Sequence, residues 1–177
     1  MTVIGVVGAG VMGAGVAQNL AQAGHEVVLV DLTQQHLTDA LNRIERACRM
    51  SRLLGHGEVD TDAVLAAITP STEIEALAKA DAVIENITED WERKRALYRD
   101  LDRVCGPDTI FIANTSAIPI TRIASATARP GNVVGVHFMN PVPMKTAVEL
   151  IPGKRTSPET VERTRAILTD MNKRAID

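Results

Sequence analysis

The chain has 177 residues, 45% of them apolar, with 19 basic and 22 acidic side chains giving a formal charge of −3. That length supports one ordinary core and a single domain over residues 1–177, and the nearly balanced charge offers no general attraction to nucleic acid or to an anionic membrane. Two thiols, Cys48 and Cys105, have neither CxxC nor metal-ligand spacing, so a disulfide framework and a metal site are not expected and a reducing cytoplasm fits.

From Met1 the chain enters a β-branched run at 3–7, without the charged leader and small-residue cleavage site of a secretory signal. Gly8 closes that run, residues 11–23 have helical apolar spacing ending at Gly24, and residues 27–30 form a second strand pattern. Such a strand–helix–strand unit is expected to have parallel strands and a right-handed crossover, with Asp31 at the carboxyl end of its second strand. Residues 33–54 read as a long helix, 55–62 as a loop and 63–67 as a short helix. Strands are expected at 68–70, 82–87, 109–113 and 133–136, with helices at 73–79 and 90–104. Beyond Pro143, residues 148–151 have strand character. Ser157 is a plausible N-cap with Glu159 and Glu162 in or near the first turn, and residues 172–177 open a further strand. No apolar run reaches the roughly 18 residues of a membrane helix. Strands alternating with helices predict an α/β fold, a doubly wound and mostly parallel sheet with helices on both faces.

Gly8-Ala9-Gly10-Val11-Met12-Gly13 is a GxGxxG run between a strand and a helix, and an acid, Asp31, stands eighteen positions after its last glycine. In that context it is the dinucleotide fingerprint of a Rossmann-type domain. Gly8 permits the tight turn, Gly10 lets backbone approach a pyrophosphate, Gly13 allows helix–strand contact, and the phosphates face the helix N-terminus. Glycines serving only a turn are the plain alternative, and the flanking strand and acid weigh against it. Asp31 can accept the ribose hydroxyls of NAD and would repel the 2′-phosphate of NADP, with no arginine following to compensate. NAD is therefore the expected cofactor, held by Gly8, Ala9, Gly10, Val11, Met12, Gly13 and Asp31.

A dinucleotide unit does not name a reaction; later residues do. Asn114-Thr115-Ser116 follows the strand at 109–113, at the carboxyl edge where doubly wound sheets bind ligands, so Ser116 and Asn114 are placed as substrate contacts. His137 follows the strand at 133–136 and leads a Pro-fixed loop. Oxidation of an alcohol needs a base while hydride leaves carbon, and histidine titrates near working pH. Glu149, twelve residues on, is placed to hold the second ring nitrogen and steady the imidazolium, as the acid of a triad does. Taken alone, His137 reads equally well as a structural loop histidine.

These residues carry a family resemblance. The chain is similar, nearly end to end, to the N-terminal domain of the 3-hydroxyacyl-CoA dehydrogenases, including the 3-hydroxybutyryl-CoA dehydrogenases. The marks are GAGVMGAGVAQ from Gly8, VIENITED from Val83, NTSAIPI from Asn114, HFMNPVP from His137 and VELI from Val148. The resemblance implies interconversion of 3-hydroxyacyl and 3-oxoacyl thioesters, with His137 as base, Glu149 as its partner and Ser116 touching substrate and nicotinamide. It also implies cofactor roles for Glu89, Lys94 and Asn140, and a homodimer for the full-length form. From spacing alone, Glu89 and Lys94 read as an exposed helix-face pair. Hydroxyacid dehydrogenases that share the fingerprint but use a lysine base are the nearest enzymatic competitor, against which HFMNPVP argues. A non-catalytic NAD-binding module or partner-dependent subunit is the competitor from another class.

Two departures from the family accompany the resemblance. Its C-terminal helical domain, which closes the substrate cleft and carries a catalytic asparagine, has no counterpart in these 177 residues, so little turnover is expected of this chain by itself. Where relatives place a serine and a lysine for CoA, this sequence has Ala47 and Leu54, whereas Arg43, Arg46, Arg49 and Arg52 recur every three residues. Solvated arginines are the plain reading. The sharper one makes Arg46 and Arg49 a dock for CoA phosphates or for an acidic acyl carrier protein bearing a 3-hydroxyacyl or glyceryl thioester. Trp91 and Tyr98 read as packing residues, Cys48 and Cys105 as ordinary helix residues, and His25, His36 and His56 lack ligand spacing.

Overall fold

In the computed structural model, which describes residues 2–53 and 59–176, the apolar runs become eight strands: β1 (Val3–Val7), β2 (Glu26–Val30), β3 (Ile68–Ser71), β4 (Ala82–Glu85), β5 (Ile110–Ala113), β6 (Val133–His137), β7 (Ala147–Pro152) and β8 (Arg174–Ile176). They form one sheet in the order β3-β2-β1-β4-β5-β6-β7-β8. The order reverses between β1 and β4, and the carboxyl ends of these two strands open the crevice that such sheets use for ligands. Every neighbouring pair is parallel except β6–β7.

Among the described residues six helices cover the sheet: α1 (Val11–Gln22), α2 (Gln34–Leu53), α3 (Thr61–Ala66), α4 (Trp91–Val104), α5 (Ile120–Ala124) and α6 (Pro158–Asp170). One core joins the α1, α2, α3 and α6 side chains to one face of the strands, with Leu37, Ala40, Ile44 and Cys48 forming the buried stripe of α2. The other face packs Tyr98 and Leu101 of α4 and Ile120 and Ile123 of α5 against Phe111 and Val133. Tyr98 meets Phe111 edge-on with ring centroids 6.1 Å apart, Trp91 lies under the Arg122 guanidinium, and both cysteines are buried and free, as the packing readings of these residues expected. His25 is buried beside Asp170. Asp60 and Ser157 cap α3 and α6 by accepting the Ala63 and Thr160 amides.

Several boundaries differ from expectation. The segment 73–79 is only a 3-10 turn, Ile74–Leu77. β4 stops at Glu85 because that side chain turns back to accept the Ile87 amide. α3 starts two residues earlier than expected, behind its Asp60 cap. α5, too short to give a periodic pattern, was not anticipated, and β7 runs against its neighbour. Leu54, His56 and the first half of the expected loop at 55–62 lie outside the described residues. Among those described, no helix is long and apolar enough to cross a membrane.

Candidate active site

The glycine run bends from β1 into α1 with each glycine placed by a different constraint. Gly8 has φ +95°, a left-handed conformation that side chains rarely adopt, and a Cβ on Gly13 would lie 1.7 Å from the Gly8 carbonyl oxygen. Gly10 is different, because a Cβ there would meet nothing within 4 Å. Packing within the chain does not demand that glycine, and the space beside it is open. α1 begins at Gly10 with no side-chain cap and no acid in its first turn, leaving amide donors and the positive dipole end open to an anion.

Asp31, just past β2, is tied to this loop. The Ala9 amide donates to its Oδ2 at 2.6 Å and the Leu32 amide to its Oδ1 at 2.7 Å, where His36 Nδ1 also lies at 2.7 Å. Burial alone would push the carboxyl up, but the Ala9 amide, the His36 ring and the Leu32 amide outweigh it and hold it below the usual range. A cleft of about 970 Å³ runs past Gly8, Gly10, Asp31, Asn86 and Thr88. The residues present thus fit NAD: an uncapped helix N-terminus at the glycine turn and a charged acid lining the same cleft.

Further along the same edge stands the histidine. His137 ends β6 and faces Glu149 across the antiparallel β6–β7 pair, so the twelve-residue separation in sequence becomes a cross-strand neighbour. Glu149 Oε2 lies 2.8 Å from His137 Nδ1, and Ser116 Oγ 2.9 Å from Nε2. A carboxylate only accepts, so Glu149 fixes the proton on Nδ1 and leaves the Nε2 lone pair facing Ser116. The ring is about a quarter exposed, within reach of a substrate oxygen.

Ser116 is set in place by an ionic group of which Lys94 and Glu85 are buried and Glu89 is partly exposed. Glu89 accepts the Ser116 and Ala117 amides, both at 3.1 Å, and the Thr115 hydroxyl. Lys94 Nζ lies 3.0 Å from Glu89, bridges both oxygens of Glu85 at 3.0 and 2.9 Å, and donates to the Asn114 carbonyl at 2.9 Å. Burial would raise the Glu89 carboxyl, but the Thr115 hydroxyl, Lys94 and the Ala117 amide bring it down to about 2. Glu85 goes the other way, pushed up by burial that Lys94 only partly offsets. The exposed helix-face pair expected from spacing is therefore corrected. Lys94 has no accessible surface, and any part it plays in cofactor binding passes through Glu89 and the Asn114 backbone. Glu85 was missed; its one trace in the sequence is an acid at the end of an apolar strand.

Three other expected site residues are placed differently. Asn114 donates its amide to Asn86 at 2.8 Å and accepts the Phe138 amide at 3.2 Å, so it braces the ends of β4, β5 and β6 instead of standing free for substrate. Arg49 pairs with Glu45 at 2.6 Å, and Arg46 Nε donates to the Asn42 carbonyl of its own helix. Neither lines the two large clefts beside α1, whereas Arg43 lines both. Arg43, Arg46 and Arg49 do not act as one row because a spacing of three rotates slowly round the helix; the Arg52 side chain lies outside the described residues. Asn140 is exposed in the loop after β6, at the rim of the second cleft. The buried Lys173 ammonium holds that loop by donating to the Val142 carbonyl at 2.7 Å, a contact without a sequence clue. Among the described residues no cluster could hold a metal ion.

Comparison with known proteins gives a consistent set of matches. The family model described as "3-hydroxyacyl-CoA dehydrogenase, NAD binding domain" matches residues 3–177. A probable 3-hydroxybutyryl-CoA dehydrogenase of Bacillus subtilis is 40% identical over 173 residues, which are 97% of this chain and 60% of that relative. A 3-hydroxyadipyl-CoA dehydrogenase of Escherichia coli is 40% identical over 163 residues, 90% of this chain and 34% of its own length. The crystal structure of 3-hydroxybutyryl-CoA dehydrogenase from Escherichia coli K12 superposes with a TM-score of 0.95 at 38% identity, covering 99% of this chain and 37% of that one. The chain thus spans about a third to three fifths of the relatives it matches.

Proposed function

Because the chain belongs to the 3-hydroxyacyl-CoA dehydrogenase family, as its NAD-binding domain, we propose that it carries the proton-transfer half of a 3-hydroxyacyl thioester oxidoreductase. When bound, NAD supplies the hydride acceptor or donor. In the oxidative direction His137 Nε2, whose lone pair faces Ser116 Oγ at 2.9 Å, takes the proton of a substrate 3-hydroxyl brought beside that serine. Glu149 holds the Nδ1 proton and stabilises the imidazolium as it forms. Ser116 keeps a hydroxyl beside the reacting oxygen, and Glu89 with Lys94 fixes the loop that presents it. In reduction the charged ring is the acid. Gly10 and the open end of α1 receive the pyrophosphate, Asp31 the adenosine ribose, and Asn140 the nicotinamide side.

The observation that carries this reading is the Ser116–His137–Glu149 chain of hydrogen bonds at the carboxyl edge of the sheet that holds the glycine loop. The substrate we assign is a CoA thioester of a 3-hydroxy acid, in keeping with the names of the relatives. Arg49 is already engaged with Glu45, which weakens the case for an acyl carrier protein and leaves Arg43 and Arg46 as phosphate partners. The full-length protein is placed in the cytoplasm as a homodimer that binds neither nucleic acid nor membrane. The test is made on a protein that joins these residues to the family's C-terminal domain, because little turnover is expected of the 177 residues alone, and it follows reduced-nicotinamide absorbance after adding NAD⁺ and 3-hydroxybutyryl-CoA. Loss of at least about 10²-fold on His137→Gln supports the assignment, and equal rates in both proteins overturn it. NAD⁺ binding with no reduction would instead mark a cofactor-binding module.

A further inference from the structure

The cofactor cleft contains a titratable group that the glycine fingerprint does not call for. His36 sits in the first turn of α2, five residues after Asp31, with its backbone amide donating to Thr33 Oγ1 at 3.2 Å. Its Nδ1 lies 2.7 Å from Asp31 Oδ1, its side chain is 59% exposed, and it lines the same cleft as Gly8, Gly10 and Asp31. We propose that His36 is a specificity-determining residue that makes the choice between NAD and NADP depend on pH. The inference rests on the assignment of Asp31 to the adenosine ribose.

A carboxylate offers about four lone-pair positions. At Asp31 three are taken, by the Ala9 amide, the Leu32 amide and His36. Two ribose hydroxyls need two positions, so one donor gives way, and His36, a side chain 59% exposed, is freer to swing aside than the Ala9 and Leu32 backbone amides. A neutral ring gives up a hydrogen bond in which only the carboxylate is charged, whereas an imidazolium gives up one in which both partners are charged, which is stronger. NAD therefore binds less well when the ring is charged. A 2′-phosphate experiences the reverse. Beside a neutral ring it meets the full charge of Asp31, and beside an imidazolium it meets a cancelled charge and an N–H donor at Nε2.

The other charges around the cleft do not supply this behaviour. Asp39 and Arg43 on α2, Glu73 and Glu75 around the 3-10 turn, and Arg93 and Asp100 on α4 line it as well, and Gln35 donates to Asp39 at 3.0 Å. Carboxylates outnumber arginines there, so these groups disfavour a phosphate throughout the neutral range. Imidazole is the side chain whose charge changes between about pH 5 and 8, and His36 is the imidazole in this lining. NADP binding accordingly takes up a proton, NAD binding releases one, and the NADP-to-NAD affinity ratio rises as pH falls. One unit charge acting at about 5 Å through water-like screening changes affinity roughly fourfold.

The test is calorimetric titration of the 177-residue chain with NAD⁺ and with NADP⁺ between about pH 5.5 and 8, comparing wild type, H36Q and D31A. The 2′-phosphate itself titrates near about pH 6, equally in wild type and H36Q, so the difference between those two proteins isolates the imidazole. In wild type the ratio is expected to rise on acidification by about fourfold more than in H36Q. The same pH dependence in both proteins overturns the proposal, as does undetectable NADP⁺ binding at every pH by folded protein that binds NAD⁺. D31A separates the two layers of the argument. Unchanged NAD⁺ affinity in D31A removes the ribose assignment itself, whereas weakened NAD⁺ binding there, with unchanged pH dependence in H36Q, removes only the role of His36.

Discussion

Lys94 is enclosed on every side and faces two carboxylates and a backbone carbonyl, which makes it the residue whose removal has the most direct structural consequence. Lys94→Met leaves Glu85 buried without a counter-charge, and unfolding in urea should register a loss of about 3–5 kcal/mol; a change below about 1 kcal/mol would mean that water reaches Glu85. Glu89 gives a pH signature. Its carboxyl is held at about 2 in the fold, below the ordinary value, so its stabilising contribution is complete above about pH 4.3 and is lost as pH falls towards 2. Wild type should therefore lose urea resistance across that window more steeply than Glu89→Gln. Glu85, pushed upward by burial, acts in the opposite sense at higher pH, and the comparison with Glu89→Gln leaves its contribution in place. At the chemistry itself, Glu149→Gln keeps the shape but no longer favours the imidazolium. Turnover should fall by at least about 10²-fold while NAD⁺ affinity stays unchanged, since Glu149 contacts His137 and does not line the cleft beside the glycine loop.

Much of this residue scale was legible in the sequence, for a definable reason. Gly8, Gly10, Gly13 and Asp31 act through backbone and local spacing, which a linear pattern records. His137 and Ser116 could be placed because each follows a strand and so arrives at the same sheet edge. Glu85, Thr115 and Lys173 could not, since their partners come from other elements and a buried polar group looks like any other in a string of letters. Asn114 shows the opposite error, a polar residue at the right edge whose hydrogen bonds are spent on Asn86 and Phe138.

At the scale of elements, the strand β1, the turn and the helix α1 divide their glycines into those the fold needs and one the ligand needs. Gly13→Ala drives a Cβ to 1.7 Å from the Gly8 carbonyl oxygen, so α1 must shift and stability should drop by about 2–4 kcal/mol. Gly10→Ala meets no protein atom within 4 Å and has an ordinary negative φ. Its stability should change by less than about 1 kcal/mol, while NAD⁺ affinity falls at least about tenfold because the methyl enters the pyrophosphate space. Thermal melting and calorimetry on the two variants separate the outcomes, and a stable Gly13→Ala that binds NAD⁺ normally would contradict the account of the turn. Long, strongly periodic elements such as α1, α2 and α4 were readable from their apolar spacing. The direction of β7 was not, because strand direction is set by the length and path of the connection after His137, yet that antiparallel pairing is what delivers Glu149 to the ring.

Across the whole molecule, two cores on opposite faces of one sheet hold the carboxyl ends of β1, β2, β4, β5 and β6 in fixed relation. That arrangement brings a glycine loop, an ionic group and a cross-strand histidine pair to one edge of the sheet, although the first and last are more than a hundred residues apart in sequence. The central claim is that this edge is an NAD site, and calorimetric titration of NAD⁺ into the folded 177-residue chain tests it most directly. The account predicts saturable binding of one NAD⁺ per chain with submillimolar affinity, weakened in both Gly10→Ala and Asp31→Ala. Folded protein that shows no binding at millimolar NAD⁺, or binding that neither substitution alters, would contradict it.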